Sequence, residues 1–394
     1  MRQTFLLELI RGLPRSPERT LVLVIDAFDE CGSHISRPGI LGTLTDAATL
    51  APWLKIIIIS RPEADIERFF SALPKSSYLK YELPEGTTSD LRIFAEDQFN
   101  RVAKIRSLPA PWPEPSLFNT VISQAAGLFI FVKTIALALE RCADPTEYLT
   151  ETLRDSRATG LTSLYGLYSS ILRAQICRST AEFRRVIGVL LAAAPYRPLH
   201  DKTIAKLAGV SPMLVAKWVN ELSSLLYRDD GANGGIRIRQ SSVSDFFLSN
   251  DCPSAYNINF REANMDLGIS CLNTMTEQLR FNICKLEDSR LTNADFRDLP
   301  SRIKDNISDD LQYSCLYWSN HVRFDAQESD ERVLEGLRSF FEGPYALYWI
   351  EALSILGMVS IGVQSLQRVI SVIVKVSTAP FCDKFAFKGD FNLA

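Results

Sequence analysis

The chain has 394 residues, which at roughly 150 residues per domain implies two or three domains and excludes one small module. Hydrophobic residues make up 46%, aromatics 10% and charged residues 23%, the usage of an ordinary folded protein, which argues against global disorder. With 43 Lys and Arg against 46 Asp and Glu the net charge is −3, so a bulk electrostatic pull toward nucleic acid or anionic lipid is not expected.

The first predicted strand is TLVLVID, Thr20 to Asp26, a continuous apolar run that ends in acid. Continuous rather than alternating apolarity predicts burial on both faces, as in a parallel sheet covered by helices. LKIIIIS, Leu54 to Ser60, has the same character and stops at Arg61-Pro62. Between them Gly39 to Ala51, apolar at Leu41, Leu44, Ala48 and Leu50, suits a crossover helix, so the whole reads as a βαβ unit. A weaker third strand is predicted over Tyr78–Leu83.

After Pro84 the pattern turns helical. Ser89 is the predicted cap of a helix carrying Leu91, Phe94, Ala95, Phe99 and Val102 on one face. Pro109–Pro115 reads as a loop, followed by a helix from Ser116 through the run Gly127–Glu140 and by another over Tyr165–Cys177. From Ala181 a helix through Val186, Ile187, Val189 and Leu190 ends at Pro195, and a short one follows at Asp201–Ala208 with a turn at Gly209. Ser211-Pro212 opens a third, through Val215, Trp218, Val219, Leu222 and Leu225, with Ser as cap and Pro at the first helical position. Gly231–Gly235 then separates Leu225–Arg228 from Ile236–Arg239 as a hairpin, which makes residues 181–250 a winged-helix arrangement. Beyond Cys252 the chain reads as helical to about residue 376, with Ile303, Ile307, Leu311, Cys315, Trp318 and Val322 three to four apart. No fixed repeat period emerges, and Ala379–Ala394 has no clear period.

Eight cysteines, at 31, 142, 177, 252, 271, 284, 315 and 382, show no C-x-x-C and read as reduced thiols of an intracellular protein. His34, His200 and His321 stand alone without metal-ligand spacing and read as surface or packing residues. The apolar runs Gly127–Leu139 and Ile355–Val363 are interrupted by Lys133 and Ser360 and fall short of the roughly 20 residues that span a bilayer. Phe5 to Ile10 is broken by Glu8, so no secretory signal is expected, and the chain is expected to be soluble and cytoplasmic.

The chemistry concentrates at the tips of the two predicted strands. VLVIDAFDE, Val22 to Glu30, delivers Asp26 to the carboxyl edge of a parallel sheet, where ligands bind. Asp26 there suits a Mg²⁺ held through water, and Asp29 or Glu30 suits polarising an attacking water at a γ-phosphate. The alternative is a strand that exits into a solvated acidic turn. Ser60 and Arg61 reach the same edge on the neighbouring strand, where the Arg61 fork suits a γ-phosphate; together the two tips point to phosphate-binding ancestry. No G-x-S-x-G or Cys/His arrangement supports nucleophilic catalysis. Leu222–Leu226 reads as a core face. Helix Ser211–Leu226, the candidate recognition helix, carries only Lys217, opposed by Glu221, too little charge to anchor on phosphates.

LVLVIDAFDECG followed by KIIIISRPE closely resembles the Walker B and sensor regions of NACHT-type nucleotide-binding proteins, the signal-transducing NTPases that include fungal NOD-like receptors. GLFIFVKTIALALE resembles that family's helical-domain segment, LYGLYSSIL its linker helix, and residues 181–250 its winged helix. LRFNICKLEDS, RIKDNISDDLQYSCLYWSNH and YWIEALSILG resemble the tail of fungal members, so the resemblance covers roughly residues 5–375. It implies an α/β remnant of a P-loop NTPase sheet over 1–83, a helical lid over 84–178, a winged helix over 179–252 and an all-α tail over 253–394. It further implies Asp29 and Glu30 as catalytic, Asp26, Arg61 and Gln240 as cofactor-binding, and Asp26 as the metal residue. ATP or GTP with Mg²⁺ is the cofactor of intact relatives, with none as the alternative for this chain.

Two departures stand out. Nothing in the chain matches G-x-x-x-x-G-K-[ST], so the backbone cradle, the phosphate Lys and the Mg²⁺-ligating hydroxyl are missing; only about twenty residues precede the Walker B string. In IRIRQSSVSDFF, Gln240 stands where relatives carry a His aimed at the β-phosphate; it donates a hydrogen bond but carries no charge. Three functions compete on these readings. The leading one is a truncated or degenerate NACHT-type signalling or scaffold protein without hydrolysis, acting through protein partners or self-association, with no nucleic acid and no membrane. The others are an ATP or GTP hydrolase completed by upstream sequence, and a winged-helix nucleic-acid binder. The first eighty or so residues are expected to be less stable than the winged helix.

Overall fold

A computed structural model describes residues 20–31, 36–82, 88–154, 159–176, 180–229, 234–287, 291–322 and 331–377, with side chains as far as 370. The expectations for Phe5–Ile10, His34, Cys177, Cys382 and Ala379–Ala394 lie outside these residues. The chain divides into two compact units, residues 1–85 and 86–394.

In the first unit, β1 (Leu21–Ile25) and β2 (Leu54–Ile58) pair in parallel, with Leu21 opposite Leu54 and Ile25 opposite Ile58. They are joined through α1 (Arg37–Leu50), and α2 (Ala64–Ser71) follows β2. Helix α1 buries Leu41, Leu44 and Ala47, while Thr43, Thr45 and Thr49 return their hydroxyls to carbonyls four residues back. Leu23, Ile25, Ile56 and Ile58 pack on Phe28, Leu41, Leu44 and Ile66. The opposite face stays open: Val22, Val24 and Ile57 are 50%, 57% and 49% exposed. The expected burial on both faces is thus corrected, because the described helices form a single layer and a strand's alternate side chains point to opposite faces. The third strand is corrected too. Residues 78–82 form no strand, and Leu79 and Tyr81 are exposed.

Among the described residues the second unit is helical apart from one small hairpin. It begins with α3 (Thr88–Arg106), α4 (Pro115–Ala125), α5 (Phe129–Leu139), α6 (Pro145–Thr152) and α7 (Gly160–Gln175). Ser89 lies inside α3 rather than at its cap. The single helix expected from Ser116 to Glu140 is two, because Ala126 (φ 44°) and Gly127 (φ 88°) take left-handed conformations that stop α4 before α5 begins. Asp144 caps α6 by accepting from the backbone N–H groups of Thr146 and Glu147.

Next come α8 (Thr180–Ala193), α9 (Asp201–Ala208) and α10 (Pro212–Glu221), capped by the Ser211 hydroxyl at Met213 N. Helix α10 stops at Glu221, five residues short of the expected end, as Leu222–Leu226 turns into the hairpin with Leu222, Leu225 and Leu226 buried. Strands β3 (Leu226–Arg228) and β4 (Ile236–Ile238) pair antiparallel, and Ile236 N donates to Leu199 O at 2.8 Å. Gly235 permits that approach, since a Cβ there would stand 2.6 Å from Pro198 Cβ. After α11 (Ser241–Leu248), helix resumes only at α12 (Phe260–Gln278), not directly after Cys252. Helices α13 (Leu299–Asn306), α14 (Asp309–His321), α15 (Glu331–Glu342), α16 (Tyr345–Ile355) and α17 (Val359–Ser377) complete the described chain. One apolar core runs from Leu91 to Val369, with Tyr168, Tyr313, Trp318 and Trp349 fully enclosed. The six described cysteines are free.

Candidate functional site

The carboxyl edge of the β1–β2 pair is assembled by backbone before any side chain acts. Ile59 N donates to Ile25 O at 2.8 Å and Phe28 N to Ile59 O at 3.0 Å, so the chain leaving each strand is held by the other. Between these bonds Ala27 takes a left-handed turn (φ 51°), and a 3₁₀ turn follows over Phe28–Glu30 with the Phe28 ring buried beneath it. The turn throws Asp26, Asp29 and Glu30 to different places.

Asp26 is exposed; its Oδ1 accepts from the N–H of Ala27 at 2.9 Å, and Oδ2 accepts no hydrogen bond among the described residues. Asp29 is largely buried and occupied. Its Oδ1 accepts from Arg61 N at 3.1 Å and from the Ser60 hydroxyl at 3.3 Å, and its Oδ2 lies 3.7 Å from Arg61 Nε. Glu30 is exposed, and its side chain makes no hydrogen bond or ion pair with any described residue. The sequence-predicted residues Asp26, Asp29, Glu30, Ser60 and Arg61 therefore share one edge, but Asp29 serves as a clasp between the two strand exits.

Two further residues build this edge without having been expected. Arg37, at the start of α1, grips Asp65 of α2 through Nε and one terminal nitrogen, at 2.8 and 3.0 Å, and gives its other terminal nitrogen to Asp29 O. Both side chains are largely buried, at 9% and 14% exposure. The bidentate fork thus ties α1, α2 and the acidic turn together. The partners lie 28 residues apart, so no local spacing announces them.

Gln240 belongs to the second unit. It occupies the cap position of α11, exposed, with its side chain capping nothing. Next to it Arg239 lies over the Tyr227 ring at 5.1 Å and donates to Ser223 O. The hairpin's other arginines are paired, Arg228 with Asp201 and Arg237 with Asp229, and Lys217 sits 3.8 Å from Glu221. His321 is enclosed in the core between the Tyr313 hydroxyl at 2.8 Å and Asn264 Oδ1 at 3.1 Å, while His200 is an exposed cap residue.

Among the described residues no three His, Cys, Asp or Glu side chains come together as a metal-binding group. Asp26 offers one carboxylate with Oδ2 open, which by itself makes no metal site. Nor are the phosphates of a nucleotide provided for, because the chain has no G-x-x-x-x-G-K-[ST] string to cradle them.

The molecule is thus an α/β unit with a charged carboxyl edge joined in sequence to a helical unit with one hairpin. No protein-family model matches the chain, and no solved structure matches it. Among curated proteins it is similar to the vegetative incompatibility protein HET-E-1 of Podospora anserina, at 25% identity over 391 residues, covering 90% of this chain. The match takes in 27% of that relative's length. This similarity supports a NACHT-type relative at family level. Among the described residues no helix is long and apolar enough to cross a membrane.

Proposed function

We propose that this chain is a NACHT-type signalling or scaffold module that retains the strand edge of a nucleotide site and does not itself hydrolyse ATP or GTP. In this reading residues 1–83 are a remnant of a P-loop NTPase sheet, 84–178 a helical lid, 179–252 a winged helix and 253–394 a helical tail. The observation that carries the proposal is the occupation of Asp29, whose two oxygens face the Arg61 amide, the Ser60 hydroxyl and the Arg61 guanidinium. A carboxylate so engaged holds two strand exits in register and has little left with which to orient a water. Phosphoryl transfer depends on positioning and charge stabilisation, and the phosphate loop that supplies most of both has no counterpart in the sequence. Asp26 would hold the hydrated Mg²⁺, and Gln240, where the resemblance implies a His, carries no charge.

The hydrolase reading keeps one supporting observation, the exposed Glu30 whose side chain has no partner among the described residues. Nucleic-acid binding is not favoured, because Lys217, Arg228 and Arg237 are paired with Glu221, Asp201 and Asp229, and Arg239 is engaged with the Tyr227 ring and Ser223 O. The chain is proposed to act in the cytoplasm through protein partners or self-association. Phosphate release from Mg·ATP and Mg·GTP by the purified chain should stay at the buffer rate. Turnover that disappears in Glu30→Ala would contradict the reading.

A further inference from the structure

Far along the sequence from the strand tips, Pro109–Pro115 and the helices flanking it enclose a groove of about 310 Å³ that opens to solvent. Its floor is aromatic: Phe99 meets Trp112 edge-on at 5.9 Å and Phe118 at 6.0 Å. Pro111, Pro113 and Pro115 extend the wall. Trp112 is fixed in place, with its Nε1 donating to the Thr146 hydroxyl at 3.1 Å. On the rim Arg92 is already used, lying 5.5 Å from the centre of the Phe118 ring and donating to Asn119 Oδ1. One helical turn on, Glu96 is exposed and its side chain makes no hydrogen bond or ion pair with any described residue, and neither does that of Asn100 a turn further.

We propose that this groove binds an extended, proline-rich peptide segment bearing one basic side chain, the prolines against Trp112 and Phe118 and the cation at Glu96. An open groove walled by rigid rings and prolines suits a preformed polyproline helix, which loses little entropy on docking. An enclosed cavity would suit a small molecule better. The charge of the ligand follows from the rim. The groove's one carboxylate, Glu96, whose side chain has no partner among the described residues, lines the same groove as the Trp112 indole, and a carboxylate and an indole ring both attract a cation. The proposal is independent of any nucleotide at the strand tips.

The test is an anisotropy titration of the full chain into fluorescein-labelled Arg-Pro-Leu-Pro-Pro-Leu-Pro. Saturable binding is expected, weakened about threefold to fivefold in Glu96→Gln, the scale of an exposed ion pair. The same peptide with norleucine for arginine should bind the native chain about as weakly. Trp112→Ala should abolish binding and Trp112→Phe retain part of it. Because Glu96 is exposed, Glu96→Gln leaves the fold intact and carries the charge test by itself. No saturable binding, equal binding of a proline-free scramble, or an unchanged Kd in Glu96→Gln would each overturn the proposal.

Discussion

The two units are held together by different means. The described residues of the second unit share one apolar core in which Trp318, Trp349 and Tyr313 are enclosed. The described core of the first unit is thin: Phe28, Leu41, Leu44 and Ile66 on one patch, Ala47, Ala51 and Leu54 on another, under a two-stranded sheet with one open face. A strand pair of that size is marginal without further packing. Here the polar chain Asp65–Arg37–Asp29–Arg61 ties elements that apolar burial alone ties weakly. The contrast teaches that charged residues at a sheet edge need not be free for chemistry. In a thin layer, some of them are the structure.

That contrast yields a graded series of tests. Trp349→Ala should cost the most, about 3–5 kcal/mol in urea unfolding followed by circular dichroism, since the ring is fully buried and its Nε1 donates to Cys315 O at 2.9 Å. A loss below about 1 kcal/mol, ordinary for surface changes, would mean the second core is looser than described. Arg37→Ala should cost on the order of 2–3 kcal/mol by stranding a largely buried carboxylate. Hydrogen exchange should show this as lost amide protection in 21–25 and 54–58, with 309–321 unchanged. Asp29→Ala should cost about 1–2 kcal/mol and Asp26→Ala or Glu30→Ala under about 0.5 kcal/mol; equal effects at all three would remove the clasp role. Smallest of all, Val24→Thr on the open face should lie within about 0.5 kcal/mol of native, and a cost above about 1 kcal/mol would show that face to be covered in solution.

Much of this was legible in the sequence, for identifiable reasons. The runs LVLVI and LKIII announce strands by length and β-branching, and β1, α1 and β2 lie within a few residues of where the pattern puts them. Ser211-Pro212 marks a helix start by chemistry that is strictly local. The open face was not legible, because Val22 and Val24 are as apolar as Leu23 and nothing in their side chains tells whether a layer covers them. Nor was the break at Ala126–Gly127, where apolarity continues across the gap and only the glycine hints at a stop. Tyr78–Leu83 misled by alternation: Leu79 and Tyr81 have strand character but no neighbouring strand in the described chain. For the site, Asp26, Asp29, Glu30 and Arg61 were identifiable as a cluster. That Asp29 is spent on its neighbours, through Arg37 and Arg61, depends on contacts 8 and 32 residues away in the chain that only the fold creates.

The central claim, that the strand edge is retained without tight nucleotide binding, and hence without turnover, is tested most directly by titrating the chain with a fluorescent ATP or GTP analogue in the presence of Mg²⁺. No saturable tight binding is expected, because the sequence offers no G-x-x-x-x-G-K-[ST] string to cradle the phosphates beside the Asp26 edge. Micromolar affinity that Asp26→Ala abolishes would contradict it.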